Sequence, residues 1–425
     1  MFVAISNTPR DYAWGSTSAI AEFRGTTPTG EREAELWLGA HAGSPAKVVD
    51  AASVGAASVG YGDLAEWIAA EPGRALGDRL AADGARLPFL LKLLAAGAPL
   101  SLQAHPTPEQ ARAGFAREEA DGVPITAYDR NYRDEYHKPE LIVALSETLD
   151  ALSGFRPLDE VRGILEVLRA ADAADDAPAP GALDLLEAHL AGDDPLRDTV
   201  EWLLRDGRGG DTGEASWVTE RVTALAASAL ARDSAYALSF ETVGVLAEAY
   251  PGDPGIVISL LLNRVRLRRG ESLYLAAGNI HAYLDGLGIE LMAASDNVLR
   301  GGLTPKHIDV TELVDVLDFT PMPPPILVPS PVGAGVVAFR PDVPDFVLYR
   351  AEPGASGSAD SAARVAHVAI DGPAIVLAER GGLRVMGALG EAAVARGEAV
   401  YVTPDEAELA IDGDGIAWIA TTGRS

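Results

Sequence analysis

The sequence predicts a mainly β protein in which two β-rich regions flank an inserted helical segment. Three observations carry this. Short apolar runs broken by turn residues fill both ends of the chain. Between Pro157 and about Tyr250 the apolar residues change to helical spacing. A proline-rich stretch, Pro321–Gly333 (PMPPPILVPSPVG), then separates off a last set of strand-like runs. The expected division is residues 1–155 with 255–320 as one discontinuous domain, 156–254 as the helical insertion, and 321–425 as a second β domain.

In chain order, Tyr12–Ser16 (YAWGS) and Ala34–Val48 (AELWLGAHAGSPAKV) read as short antiparallel strands, and residues 61–83 as helical, with Leu64, Trp67 and Ile68 on one face. Pro88–Pro106 (PFLLKLLAAGAPLSLQAHP) gives two strand-like runs. The first buries Lys92, which costs free energy unless a carboxylate or other anion meets it. Residues 107–127 are polar and helical in character, and the His137–Glu140 segment (HKPE) feeds an apolar strand. In the insertion, Val161, Ile164, Leu165 and Leu168 share one helical face and Val218, Val222 and Leu225 another. Ala170–Gly181 and Gly207–Gly213 read as loops. Strand character returns at Ile256–Leu262 and runs on through Val265–Leu275. After the prolines, VAHVAI, PAIVLA, LRVMGA, AVYVTP and IAWIAT read as strands of a small all-β domain. The two β regions also share a repeat: Arg269–Leu275 is RGESLYL and Arg396–Val402 is RGEAVYV, and at the same offset His281 falls on Glu408.

Composition narrows the function. With 62 acidic against 34 basic residues the formal charge is −28, so nucleic acid is not an expected partner. The chain has no cysteine, which excludes disulfides, thiolate zinc sites and thiol catalysis. No apolar segment reaches membrane-spanning length and the N-terminus does not read as a secretory signal, so the expected location is the cytoplasm. A monomer acting on a small molecule is expected.

Chemistry concentrates in Gly278–Lys306 (GNIHAYLDGLGIELMAASDNVLRGGLTPK), where His281, Glu290, Arg300 and Lys306 interrupt small and apolar residues. In SLQAHP, Gln103 and His105 stand two apart, so on a strand both side chains leave one face. With Glu140 and His281 they make a possible four-ligand shell for a divalent ion such as Zn²⁺. Each histidine alone also fits a satisfied core residue. Lys92, Arg300 and Lys306, with the Ser101 hydroxyl, are the candidates for holding an anion in this acidic chain. Lys306 alone also fits an ordinary surface lysine.

Gly270, Gly278 and His281 together resemble the second motif of the cupin family, with Ala276 where that motif usually has proline. More specifically, YAWGS, LSLQAHP, YHKPEL and the His281–Val310 run HAYLDGLGIELMAASDNVLRGGLTPKHIDV resemble the type I mannose-6-phosphate isomerase family. The resemblance covers the chain end to end, including the insertion. It implies two cupin (jelly-roll) β-barrels, the second without metal ligands, and one Zn²⁺ per chain on Gln103, His105, Glu140 and His281. It further implies Arg300 as the catalytic arginine, Glu290 and Lys138 as active-site groups, and Ser101, Lys92 and Lys306 as substrate-binding groups. The activity implied is interconversion of mannose 6-phosphate and fructose 6-phosphate through an enediol. Glu290 is the first choice of base, with Lys138 or metal-bound water as competitors; Glu290 could instead orient a ligand, and Arg300 could instead clamp phosphate. The competing expectations are an iron-dependent cupin oxygenase and a non-catalytic sugar-binding cupin.

Overall fold

The computed structural model describes residues 1–49, 56–207, 212–354 and 365–423. Helices take 31% of the chain and strands 29%, so the protein is a mixed α/β one rather than mainly β. Part of the excess helix is outside the insertion, at Leu64–Ala70, Pro72–Ala82 and Pro108–Ala120. The last of these opens with a capping box, Thr107 and Gln110 satisfying each other's backbone amides.

The first sheet is built on one long strand, His281–Ala293. Its second half lies between Phe89–Ala96, with Glu290 opposite Lys92, and Glu140–Ala144, with Glu290 opposite Ile142. Its first half pairs with Thr148–Phe155 and places His281 opposite Gln103. The register shifts between Tyr283 and Asp285, and Gly286 follows at φ 115°, a value that favours glycine. That shift decides the site. Without it, strict alternation would send His281 and Glu290 to opposite faces.

Tyr283 packs with Leu94, Ala96, Ile142 and Ala144 inside this sheet. The alternate residues, Leu91, Leu93, Leu141, Ile289 and Leu291, pack outward against Ile375, Leu377, Tyr401 and Trp418 of the C-terminal region. At about 2 kcal/mol for each buried leucine, both faces of Phe89–Ala96 contribute strongly.

An eight-stranded sheet and a four-stranded one, built mostly from the C-terminal region, enclose a second apolar core. Two strands of the larger sheet come from the opposite end of the chain. Phe2–Ser6 lies between Ala399–Val402 and Lys47–Val48, with Phe2 opposite Val402 and Ile5 opposite Ala399. The proline-rich stretch is not a free tether: Tyr274 donates to the Pro325 carbonyl at 3.0 Å and Leu327 to that of Ser272 at 3.1 Å.

The insertion is helical from Leu158, and its core joins Phe155, Ile280 and Leu284 of the sheet. Two local expectations change. Gly255–Leu261 is a fully buried helix rather than a strand, and the strand begins at Leu262. A short, wholly apolar run has no periodicity to tell the two apart. The expected loop at Ala170–Gly181 is narrower, because helices run to Ala173 and from Pro180. Most of the Gly207–Gly213 loop lies outside the described residues. Among the described residues no helix is long and apolar enough to cross a membrane.

Candidate metal centre and anion site

Three strands carry the centre. Gln103–Ala104 lies between His281 and Arg300, pairing Gln103 with both, and His105 follows directly. Glu140 opens the strand Glu140–Ala144, held on its far side by Ser272–Leu275. His105 and His281 are each 1% exposed, and Glu140 is buried between them. The Nε2 atoms of His105 and His281 lie 3.3 Å from Oε1 and Oε2 of Glu140, respectively. Each Nδ1 meets a backbone carbonyl: His105 that of Asn297 at 2.8 Å, His281 that of Asn279 at 3.1 Å. Donation from Nδ1 to those carbonyls leaves the Nε2 lone pairs facing one point.

Neither Nε2 has a hydrogen-bond partner, although both are fully buried. Orphaned buried acceptors cost free energy unless something meets them. The ligand atoms of His105, Glu140 and His281 all lie within 4.8 Å of one another. Two imidazoles and a carboxylate in that arrangement fit a divalent metal, and Gln103, opposite His281 on the paired strand, adds an amide beside them.

Charge around the centre is layered. Lys138 Nζ lies 3.0 Å from Glu140 Oε1. Burial alone would raise the Glu140 pKa, but Lys138 and His105 hold it well below the usual carboxylate range. Burial first and Lys138 second push His105 down to about 4. One layer deeper, Lys92 Nζ lies 3.0 Å from Glu290 and 3.6 Å from Glu35. Burial works against the Lys92 charge, yet Glu290, Glu35 and Glu140 carry its pKa above the ordinary lysine value. Burial raises the Glu290 pKa despite Lys92. The carboxylate expected to meet Lys92 is therefore present twice. The buried Tyr283 hydroxyl has no hydrogen-bond partner of good geometry.

Lys92 is thus brought to the acids and not to the other proposed anion-binding groups. Arg300, Lys306 and Ser101 line a chamber of about 650 Å³ with Gln103, Glu35 and Trp14; Glu290 is not in its wall. Burial first, then Arg133, lowers the Arg300 pKa, and burial, Arg300 and Arg133 lower that of Lys306. Among the described residues no carboxylate forms an ion pair with Arg133, Arg300 or Lys306. Sequence reasoning missed Arg133, Glu35 and Trp14. Arg133 stands five residues before Lys138 in a segment already singled out, but in a turn with no periodicity to aim it.

Comparison with known proteins bears on this geometry. The type I phosphomannose isomerase catalytic domain matches residues 2–158. The mannose-6-phosphate isomerase of Escherichia coli (strain K12) is 38% identical over 347 residues, covering 80% of this chain and 81% of that protein. The chain belongs to the mannose-6-phosphate isomerase family. Its likeness to the family extends beyond the first domain: the Rattus norvegicus mannose-6-phosphate isomerase is 30% identical over 424 residues, 95% of this chain and 94% of that one. A zinc-bound crystal structure of mannose 6-phosphate isomerase superposes with a TM-score of 0.83 at 30% identity, covering 99% of both chains. The Salmonella typhimurium family member bound to fructose 6-phosphate (f6p) and zinc superposes at 0.82, with the same identity and coverage.

Proposed function

We propose that this protein interconverts mannose 6-phosphate and fructose 6-phosphate, as a cytoplasmic monomer holding one Zn²⁺. The single observation that carries the reading is the pair of orphaned imidazole nitrogens beside Glu140, next to a chamber whose Arg300 and Lys306 form no ion pair among the described residues. Gln103, His105, Glu140 and His281 would hold the metal. When bound, the ion supplies positive charge that polarises the sugar oxygens. Gln103 is neutral, so Glu140 is the one anionic ligand and a net positive charge is left to do this.

Arg300 and Lys306 orient the phosphorylated sugar, with the Ser101 hydroxyl as a further donor at the chamber wall. The reaction moves a proton between C1 and C2. We assign its removal and return to Glu290, one layer behind the chamber wall, whose burial raises its affinity for a proton; Lys138 is the competing group. Arg300 stabilises the oxyanion of the enediolate. Lys92 keeps Glu290 fixed from beneath and prevents two neighbouring acids from repelling each other.

We read the fold as two cupin-type jelly-rolls, residues 1–155 with 255–320 and residues 321–425, with 156–254 inserted. The shared strand and repeat positions support this, although Phe2–Ser6 crosses to the second sheet. A coupled assay for fructose 6-phosphate formed from mannose 6-phosphate tests the function. Activity is expected with zinc, lost with a chelator and restored by Zn²⁺. Full activity in protein that elemental analysis shows to be metal-free would overturn the assignment.

A further inference from the structure

Two chambers meet at Arg300, Pro305 and Lys306. The inner one reaches Ser101, Gln103 and Glu35. The outer one, about 860 Å³, opens towards Tyr128, Arg133, Arg205 and His307, and among the described residues no acid lines it. Arg205 is already answered by Glu201 at 2.8 Å and by the Thr311 hydroxyl at 3.1 Å. Among the described residues none of Arg133, Arg300 and Lys306 forms an ion pair, the nearby Asp296 acting on Arg133 only through space, and Arg133 is close enough to disfavour the charge of both Arg300 and Lys306. A phosphate monoester carries about two negative charges. Arg300 and Lys306, shared by both chambers, match that. Arg133 belongs to the outer chamber alone and is left over. Beyond it, the Tyr128 ring is 85% exposed and stands edge-on to His307 at 6.0 Å.

We propose that the outer chamber is a second phosphate subsite. The protein then binds a linear diphosphate, one phosphate between Arg300 and Lys306 and the next against Arg133, in competition with the sugar phosphate. The inference rests on the reading of Lys306 as a phosphate-holding group, with Arg300 beside it and free of its oxyanion when no sugar is bound. Two sources supply that chemistry: free pyrophosphate, and a nucleoside diphosphate whose base would lie against Tyr128.

The test is calorimetry on the zinc-loaded full chain with inorganic phosphate, pyrophosphate and ADP, alongside inhibition of isomerisation. Pyrophosphate is expected to bind at least tenfold more tightly than phosphate and to compete with mannose 6-phosphate. Arg133→Gln should abolish that tenfold preference while changing phosphate affinity much less, because only the second phosphate loses its partner. Pyrophosphate sequesters divalent ions, so wild type and variant are compared at equal metal, where that effect cancels. ADP binding as tightly as pyrophosphate, and weakening in Tyr128→Ala while pyrophosphate does not, identifies a nucleotide as the source; ADP binding more weakly identifies the free diphosphate. A pyrophosphate affinity no better than that of phosphate, or a preference that survives Arg133→Gln, overturns the subsite. If the chain proves not to isomerise yet shows the Arg133-dependent preference, the substrate reading fails and the subsite stands. Isomerisation without the preference has the reverse meaning.

Discussion

The two β regions use similar strands around opposite interiors. RGESLYL and RGEAVYV each turn on a glycine of positive φ, Gly270 at 86° and Gly397 at 77°, and enter the strands Ser272–Leu275 and Ala399–Val402. At the same offset beyond them, His281 and Glu408 each open the next strand. There the likeness stops. His281 is buried against Glu140, whereas the Glu408 side chain is 61% exposed and pairs with His367 at 3.0 Å. The C-terminal interior is lined by residues such as Val376, Val385, Val400 and Ile411. The first holds Lys92, Lys138, Glu140 and Glu290. The difference lies in what crosses the repeat. Only the first region receives Gln103–His105 and Glu140 from outside it, and buried charges survive only with partners.

The most severe way to break the contrast is Glu140→Ala, which removes the anionic ligand and strands Lys138. Zinc content should fall from about one per chain to near zero and turnover by about a thousandfold or more. Retention of stoichiometric zinc on elemental analysis would refute the ligand set. Next comes Arg300→Ala, expected to lower kcat by about a thousandfold by removing oxyanion stabilisation. Lys306→Ala should instead raise KM by about tenfold with kcat nearly kept, since a remote phosphate contact acts alike in ground and transition states. A severe loss of kcat at unchanged KM in Lys306→Ala would mean that the division of roles is wrong.

Lys92→Met keeps the volume but leaves Glu290 and Glu35 facing each other without a cation. Urea denaturation should show a loss of about 3–5 kcal/mol, the usual cost of breaking a buried pair; a loss below about 1 kcal/mol would show that the charged interior does not depend on its pairing. The smallest effect is expected from Glu408→His, which restores the repeat's histidine in the second region. Stability should shift by no more than about 0.5 kcal/mol, as for other exposed sites. Zinc content should stay at one per chain; a second zinc would show that the strand position alone makes a site.

Much of the centre was legible because alternation and composition both reported on it. Gln103 and His105 two apart, and a glutamate opening an apolar strand, constrain orientation before any coordinates exist. A lysine inside PFLLKLL announced a buried acid, though not which one. Glu290 could not be aimed from sequence, because its face depends on the register shift before Gly286. Arg133 and Glu35 reach the site through turns and a neighbouring strand, where spacing carries no direction. The helix Gly255–Leu261 was hidden by being apolar all round. The partner of Phe2–Ser6 was not legible for a different reason, since nothing in FVAIS says which of two apolar edges it will join.

That strand has a consequence for how the chain is made. Phe2 finds its partner at Val402, so a strand made early waits for one made much later. Loop closure over such a span costs only a little more than over a shorter one, but the wait itself exposes an apolar edge. A nascent chain halted at the proline-rich stretch would have all four proposed metal ligands and the chamber while Phe2–Ser6 stayed without its main partner. Such a fragment would be a template for pairing with other chains. Successful biogenesis therefore depends on completing the C-terminal strands that pair with Phe2–Ser6.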